Sequence, residues 1–408
     1  LLQLLIKFIV SKTITMRKII SLSAALIFCV QLSAQNWKDL HFNSVVVDTH
    51  NDILTTAIEK GYSFDQNLKG KTHSDLARFA KGGIDVQIFS IWSDGSYTHG
   101  KGFRRANQQI DTLYAVQKRN PGKMSIVTNS KELMQAVKAR KLAAMIGVEG
   151  GHMIEDRLDY LDSLFNRGAR YLTLTWNNST SWASSAADES KGKQPKGLNS
   201  FGKEVVKHMN KLGMLVDLSH VGEQTFWDAI HTTTQPVIVS HSCAHALCPV
   251  SRNLTEEQIK AVGKNGGVIH LNFFSGFLDS SFFKKNRDFR RKHRAEADSL
   301  FASGRDSNTV TDMLAGKYAA DAQQLRAPFS LLFDHLDHIV QLIGTEHVGL
   351  GSDFDGITST PQRLNDVTDF PLITKELLRR GYTQEQIKGI LGGNFLRLLQ
   401  TVEQAAHP

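Results

Sequence analysis

The chain runs to 408 residues, 22% of them charged, with a formal net charge of +8. Lys7, Lys12, Arg17 and Lys18 fall in residues 1–34, which hold no acid, so the remainder carries only +4, weak grounds for a nucleic-acid partner. That remainder, about 370 residues, is large for one ordinary core but normal for an α/β barrel with insertions.

Met16 opens a short basic stretch, followed by an apolar run over 19–30 and then Gln31-Leu-Ser-Ala34. This order reads as a secretory signal peptide cleaved after Ala34, with 1–15 as upstream sequence, and predicts an exported protein, periplasmic or secreted. The apolar run is too short for a comfortable membrane span, so no stable membrane insertion is expected once the leader is gone. Cys29 offers lipid anchoring as an alternative, but Phe28 before it is bulkier than the usual small residue.

From there on, short β-branched runs alternate with longer amphipathic ones. The pattern predicts strands over 44–48, 84–89, 143–148, 170–174, 215–218, 237–240, 267–271 and 347–350. Most are almost continuously apolar, as expected where helices cover one face and a packed barrel interior the other. Helical spacing marks 199–212, 255–262 and 330–342, the second opening on Thr255-Glu-Glu-Gln258, a capping box. These units close most simply as one (β/α)8 TIM barrel over 35–400. Residues 176–197, rich in Ser, Asn and Gly, follow the fourth strand and belong to a loop at the active mouth. Residues 276–325 form an extended insertion between strands seven and eight, expected to add helices over the same face. Its basic run from Lys284 to Arg294 reads as a solvated helix face or loop. A closing helix over 382–399 starts at Thr383-Gln-Glu-Gln386, another capping box. Cys243 and Cys248 are compatible with either a local bridge or two buried thiols.

Six chemically apt residues lie at predicted strand exits. His50 and Asp52 follow strand one, Glu149 ends strand three, His220 follows strand five, His241 strand six and Asp353 strand eight. Singly, each is readily a structural residue; the argument is that they agree, because a barrel gathers its strand ends at one mouth. There the nitrogens and carboxylate oxygens suit two divalent metals, with Glu149 as the bridge, His50 and Asp52 on one ion, and His220 and His241 on the other. A water held between two such ions has a lowered pKa and is set for attack, which predicts a hydrolase. Asp353 is placed to take that water's proton and pass it to a leaving amine, with Asp355 as its competitor. Arg252, downstream of His241, offers a two-pronged grip on a carboxylate or else a nearby salt bridge. No Gly-x-Ser-x-Gly elbow supports Ser219 or Ser240 as a nucleophile, and Gly82-Gly83 and Gly150-Gly151 lack the spacing of a dinucleotide loop.

Around these residues run Asp48-Thr-His-Asn-Asp52, Ile146-Gly-Val-Glu-Gly-Gly-His152, Tyr171-Leu-Thr-Leu-Thr175, Asp217-Leu-Ser-His220, Ser240-His-Ser242, Ser251-Arg-Asn253, Phe333-Asp-His-Leu-Asp-His338, Gly351-Ser-Asp-Phe-Asp-Gly356 and Gly393-Asn-Phe-Leu-Arg397. In these ordered pieces, from about Val45 to Leu399, the chain resembles the membrane dipeptidase (renal dipeptidase) family of zinc peptidases, within the wider amidohydrolase-like barrels. The resemblance implies two zinc ions per chain. His50, Asp52 and Glu149 match the ligands of one, and Glu149, His220 and His241 those of the other. It also implies that Arg252 binds the substrate's terminal carboxylate, and that Asp353 handles the proton and contacts the free amino group. Dipeptides with free ends, often with a D-residue on the C-terminal side, are the implied substrates, and a homodimer the implied assembly. One position departs from the pattern. Where well-studied members carry a histidine after Leu-Thr-Leu-Thr, this chain has Trp176, followed by Asn177 and Asn178. Tryptophan supplies one N–H donor but never a cation, so stabilisation of a developing oxyanion would be weaker unless Asn177 or a loop group compensates. The expectation is a binuclear zinc dipeptidase. Its rivals are a hydrolase of another small amide, such as an N-acyl amino acid, and a metal-containing protein that binds peptides without turnover.

Overall fold

The computed structural model describes residues 37–97, 100–305 and 307–406, except for the side chains of 307, 308 and 312. The expected leader and Cys29 lie outside the described residues. Nine strands form one sheet: β1 (Val47–Asn51), β2 (Val86–Trp92), β3 (Met124–Ile126), β4 (Leu142–Glu149), β5 (Ala169–Thr173), β6 (Leu215–Asp217), β7 (Ile238–Ser242), β8 (Val268–Leu271) and β9 (Val348–Leu350). Eight of them follow one another in the order β1-β2-β4-β5-β6-β7-β8-β9, every pair parallel. The ends meet through a parallel bridge between Asn51 and Phe354. Beside it the Asp353 N–H donates to the His50 carbonyl at 3.0 Å, and the Asp52 N–H to the Phe354 carbonyl at 2.9 Å. The expected barrel is present.

Two details differ from the sequence reading. The first strand begins at Val47 rather than Ser44, so His50 lies inside it rather than beyond it. The ninth strand, β3, pairs with the first residues of β4, on the edge that β5 takes over from Ile146 onward. Met-Ser-Ile is too short a run to register as a periodic pattern.

Alternation along the strands sorts side chains into two layers. Val47, Val86, Ile88, Ala143, Met145 and Leu215 pack inside the barrel, where Phe395 and Leu399 of the last helix (Asn394–Gln404) join them. Their neighbours, such as Phe89, Ala144, Ile146 and Leu172, face outward into the layer under the helices. One end of the barrel is therefore filled with apolar side chains, and the polar residues gather at the other.

The helices follow their local signals. Asn199 accepts from the Gly202 N–H at the head of Ser200–Leu212, and Gly213 ends that helix with φ 70°. Both capping boxes form, at Thr255 before Glu256–Asn265 and at Thr383 before Gln384–Lys388. The loop after β5 carries a short helix, Ala186–Glu189, and is anchored by the fully buried Trp182. Within the insertion, Phe282–Lys292, Arg294–Ala302 and Ser307–Lys317 surround a small core that includes Phe282, Phe289, Val310 and Leu314. Its basic run is a solvated face partly neutralised by acids: Lys284 and Arg291 pair with Asp288, and Lys285 with Asp279. Cys243 and Cys248 are buried free thiols, not a bridge. Among the described residues, no helix is long and apolar enough to cross a membrane.

Candidate metal centre and active site

Glu149, the last residue of β4, shares the inward parity of Ala143 and Met145 and stands only 4% exposed at the mouth of the barrel. Its two oxygens face different partners. Oε1 lies 2.9 Å from His220 Nε2 and 3.4 Å from His241 Nε2, while Oε2 lies 3.5 Å from His50 Nε2. Asp52 Oδ2 is 3.4 Å from the same His50 nitrogen. The five expected ligands do converge.

Backbone irregularities aim them. The register of β1 shifts between Asp48 and Asn51, and that of β7 between Val239 and Ser242, so the bulges fall at His50 and His241 and turn both rings toward the mouth. His241, like His50, sits inside its strand rather than after it. His220 and Asp353 both hold positive φ, 64° and 59°, in the loops after β6 and β9. That left-handed backbone is costly for a side-chain-bearing residue and is characteristic of functional turns.

Each imidazole is held by its far nitrogen. Tyr171 Oη lies 2.9 Å from His50 Nδ1 and donates to the Thr49 carbonyl at 3.2 Å, so the ring's Nδ1–H must donate to the phenol. Ser240 Oγ donates to Asp217 Oδ2 at 2.6 Å and lies 2.8 Å from His241 Nδ1, which makes it the acceptor there as well. Asn177 Oδ1 accepts from His220 Nδ1 at 3.1 Å. In their neutral form all three rings would turn an Nε2 lone pair to the interior, the tautomer a metal needs, although against the pull of burial Tyr171, Glu149 and Asp52 raise His50 well above its ordinary value. Gly147 makes room for one of these holders, because a Cβ there would stand 2.0 Å from the Tyr171 ring.

The donor set fits metal ions. His50 Nε2 is buried and without a hydrogen-bond partner among the described residues, although two carboxylates flank it. His220 and His241 bring their Nε2 atoms to 3.0 Å, with Glu149 Oε1 beside both. Tetrahedral zinc with bonds of about 2.0–2.1 Å needs ligand atoms roughly 3.3 Å apart, close to this spacing. Two overlapping groups could each hold an ion: His50, Glu149 and His241, and His50, Asp52 and Asp353. Both groups differ from the sequence-based expectation: the first holds His50 in place of His220, the second holds Asp353 in place of Glu149, and His50 rather than Glu149 is common to the two.

Electrostatics follow from burial and crowding. Desolvation opposes the charge on Glu149, but the charge on His50 and the close approach of His220 and His241 outweigh it and hold the carboxyl well below its ordinary range. Burial lowers His220 to about 4, with Arg252 adding repulsion, and it lowers His241 as well. Burial, with repulsion from Asp52 and Glu149, pushes Asp353 up to about 8 against the opposing pull of His50. Asn272, just past β8, donates from Nδ2 to Asp353 Oδ2 at 2.8 Å.

The mouth opens into a cavity of about 500 Å³ lined by Glu149, His220, Asp353, Trp176 and Asn177, among others. Arg252 is elsewhere. It lines an adjoining cavity that shares His220, donates to the His241 carbonyl at 3.2 Å, and stacks 5.2 Å from the ring of Phe277, which lines the mouth. Asp355, the competitor of Asp353, accepts from the His73 N–H at 2.7 Å and from the Ser74 hydroxyl, so it secures the turn. Sequence reasoning gave Tyr171, Asp217, Ser240 and Asn272 no role. The one signal for them is a polar residue near the end of an apolar strand, and it does not say which distant histidine or acid each would hold.

A sequence profile of the membrane dipeptidase family (peptidase family M19) matches residues 34–408. The chain belongs to this family. An uncharacterized dipeptidase of Schizosaccharomyces pombe (strain 972 / ATCC 24843) is 32% identical over 395 residues, 92% of this chain and 85% of the relative. Mouse (Mus musculus) dipeptidase 3 is 32% identical over 365 residues, 88% of this chain but 64% of that longer protein. Among solved structures, a metallopeptidase from Rhodobacter sphaeroides, liganded with a phosphinate mimic of the dipeptide L-Ala-D-Ala, superposes with a TM-score of 0.71 at 23% identity, covering 88% of this chain and 100% of that one. That likeness is one of fold. As a membrane-dipeptidase-family member, the chain is a metal-dependent, dipeptidase-like hydrolase on an amidohydrolase-like barrel.

Proposed function

We propose that the chain is a binuclear zinc dipeptidase cleaving dipeptides with free amino and carboxyl ends, L,D-dipeptides among them. The observation that carries this reading is the division of Glu149, whose two oxygens face separate histidines whose Nε2 lone pairs all turn inward. His50, Asp52 and Glu149 would hold one zinc, and Glu149, His220 and His241 the other. Bound zinc supplies Lewis-acid polarisation of the peptide carbonyl and a nucleophile at neutral pH.

The chain's own residues do the rest. Asp353, at the mouth with one oxygen held by Asn272, is the carboxyl placed to exchange a proton with the reacting groups. It would take one from the attacking nucleophile, return it to the departing nitrogen, and meet the substrate's ammonium group. Asn272 fixes the rotamer in which it does so. Arg252 would bind the terminal carboxylate from beyond His220, and Trp176 and Asn177 bound the substrate side of the mouth. The inclusion of L,D-dipeptides is supported by the ligand of the Rhodobacter sphaeroides structure.

Elemental analysis of the purified protein, together with initial rates on L-Ala-L-Ala and L-Ala-D-Ala, tests this reading. The expected result is about two zinc ions per chain and hydrolysis of both substrates. A metal-replete protein inert toward both would end the peptide assignment. Preference for an N-acetylated substrate would move the activity to another amide class, and tight dipeptide binding without turnover would make the chain a binding protein.

A further inference from the structure

The cavity above the metal centre is edged with acids, yet nearly all of these are already engaged. Asp52 and Glu149 belong to the histidine cluster, Asp353 is held by Asn272, and Asp355 by His73 and Ser74. Glu59 stands 3.7 Å from Arg105. That leaves Asp94, exposed at the rim, its Oδ1 taken by the Ser96 N–H. No lysine or arginine lines the cavity among the described residues. The apolar part of its lining, the part open to a substrate side chain, is chiefly aromatic. Trp92 ends β2 and Trp176 follows β5, and their indoles meet edge to face at 4.9 Å. On the opposite arc of the mouth, Phe274 and Phe277 follow β8, and Ile357 follows β9. Phe277 is itself backed by the Arg252 guanidinium, and Phe274 packs edge-on against Phe277 at 5.0 Å. Each wall is thus a pair of rings in mutual contact, and the phenylalanine pair is backed by Arg252.

We infer that this mouth is an aromatic-walled slot that selects dipeptides bearing an aromatic or large aliphatic side chain, with Trp176 as the specificity-determining residue. The inference rests on the dipeptidase reading. A flat or branched side chain lying between two aromatic walls gains buried area and edge-to-face contacts that a methyl group cannot reach. Trp176 stands where the family resemblance expects a histidine, so the chain has exchanged a polar, protonatable group for a broad apolar face in the cavity that His220 and Asn177 also line.

The test is kcat/KM for the zinc-loaded enzyme on a matched set: Ala-Ala, Phe-Ala, Ala-Phe, Leu-Ala, Ala-Leu and Lys-Ala. Either the first or the second position should show a preference of roughly tenfold or more for Phe or Leu over Ala, the range that extra buried methylenes supply. Trp176→Ala and Trp176→His should each reduce that ratio to within about threefold. The ratio is read within one variant, so a general loss of activity does not affect it. Should a variant prove inactive, calorimetric titration of the zinc-loaded wild type with Phe-containing and Ala-containing dipeptide phosphinates reads the same discrimination as a ratio of Kd values. Equal kcat/KM across the set, or a preference for Lys-Ala, would overturn the slot while leaving the dipeptidase reading intact. Failure to hydrolyse any of the six would strike that reading instead.

Discussion

Asp353 can be read in two ways from its atoms. One oxygen is held by Asn272, as suits a group that moves protons, yet its carboxylate also lies within reach of His50 and Asp52 as a possible metal ligand. The substitution Asp353→Asn separates the two. The amide keeps the shape and one acceptor but cannot accept and return a proton, whereas Glu149, His50, Asp52, His220 and His241 remain intact. If the residue is the proton carrier, kcat should fall by at least about 100-fold, with zinc content by elemental analysis unchanged. If it is a ligand, metal stoichiometry should drop together with the rate. Undiminished kcat would remove Asp353 from the chemistry altogether.

The junction between β1 and β2 shows how a single half-buried acid sets the behaviour of an element. Asp85, one residue ahead of β2, accepts from the Val46 N–H at 2.9 Å, and burial, only partly offset by that bond, raises its carboxyl to about 6 from an ordinary 3.8. The folded state therefore binds the proton more tightly than the unfolded chain does. The stability it contributes is full below pH 4 and is lost as pH climbs through 6. Asparagine retains the acceptor for Val46 and does not titrate. Urea unfolding of Asp85→Asn against wild type should show little difference near pH 4.5, growing to on the order of 2 kcal/mol in favour of the variant by pH 7.5. A gap that is flat with pH would contradict the raised pKa. At this same scale the limits of sequence reading become visible. Continuous apolar runs such as 143–148 and 215–218 announce their strands, because burial on both faces leaves them little choice. The gathering of Glu149, His220 and His241 was legible too, since any barrel brings strand ends together. The bulges that turn His50 and His241 inward were not, because a register shift depends on the neighbouring strand and leaves no mark in local periodicity. Nor were Tyr171 beneath His50, with β2 and β4 between their strands, or Asn272 beside Asp353, on neighbouring strand ends but far apart in sequence.

Taken whole, the molecule divides its stability between the two ends of the barrel. The base is filled by strand residues such as Val86, Ile88 and Met145 and closed by Phe395, packing in which none of the mouth's polar residues takes part. The mouth packs a buried carboxylate among three imidazoles whose lone pairs all turn inward, an arrangement that costs free energy unless a cation completes it. Metal removal should consequently loosen one end of the fold without dissolving the other. Protein stripped with a chelator should keep its far-ultraviolet circular dichroism at 25 °C, and its Tm should fall by roughly 5 °C, recovering when zinc is added to about 100 times Kd. Glu149→Gln, which keeps the side chain's shape but surrenders the charge shared by the two proposed zinc sites, should melt at nearly the same temperature with and without zinc. If the wild type also melted independently of zinc, the inward lone pairs would have to be satisfied by the mouth's own hydrogen bonds, and the argument for a metal centre would fail at the level of the molecule even though every ligand is in place.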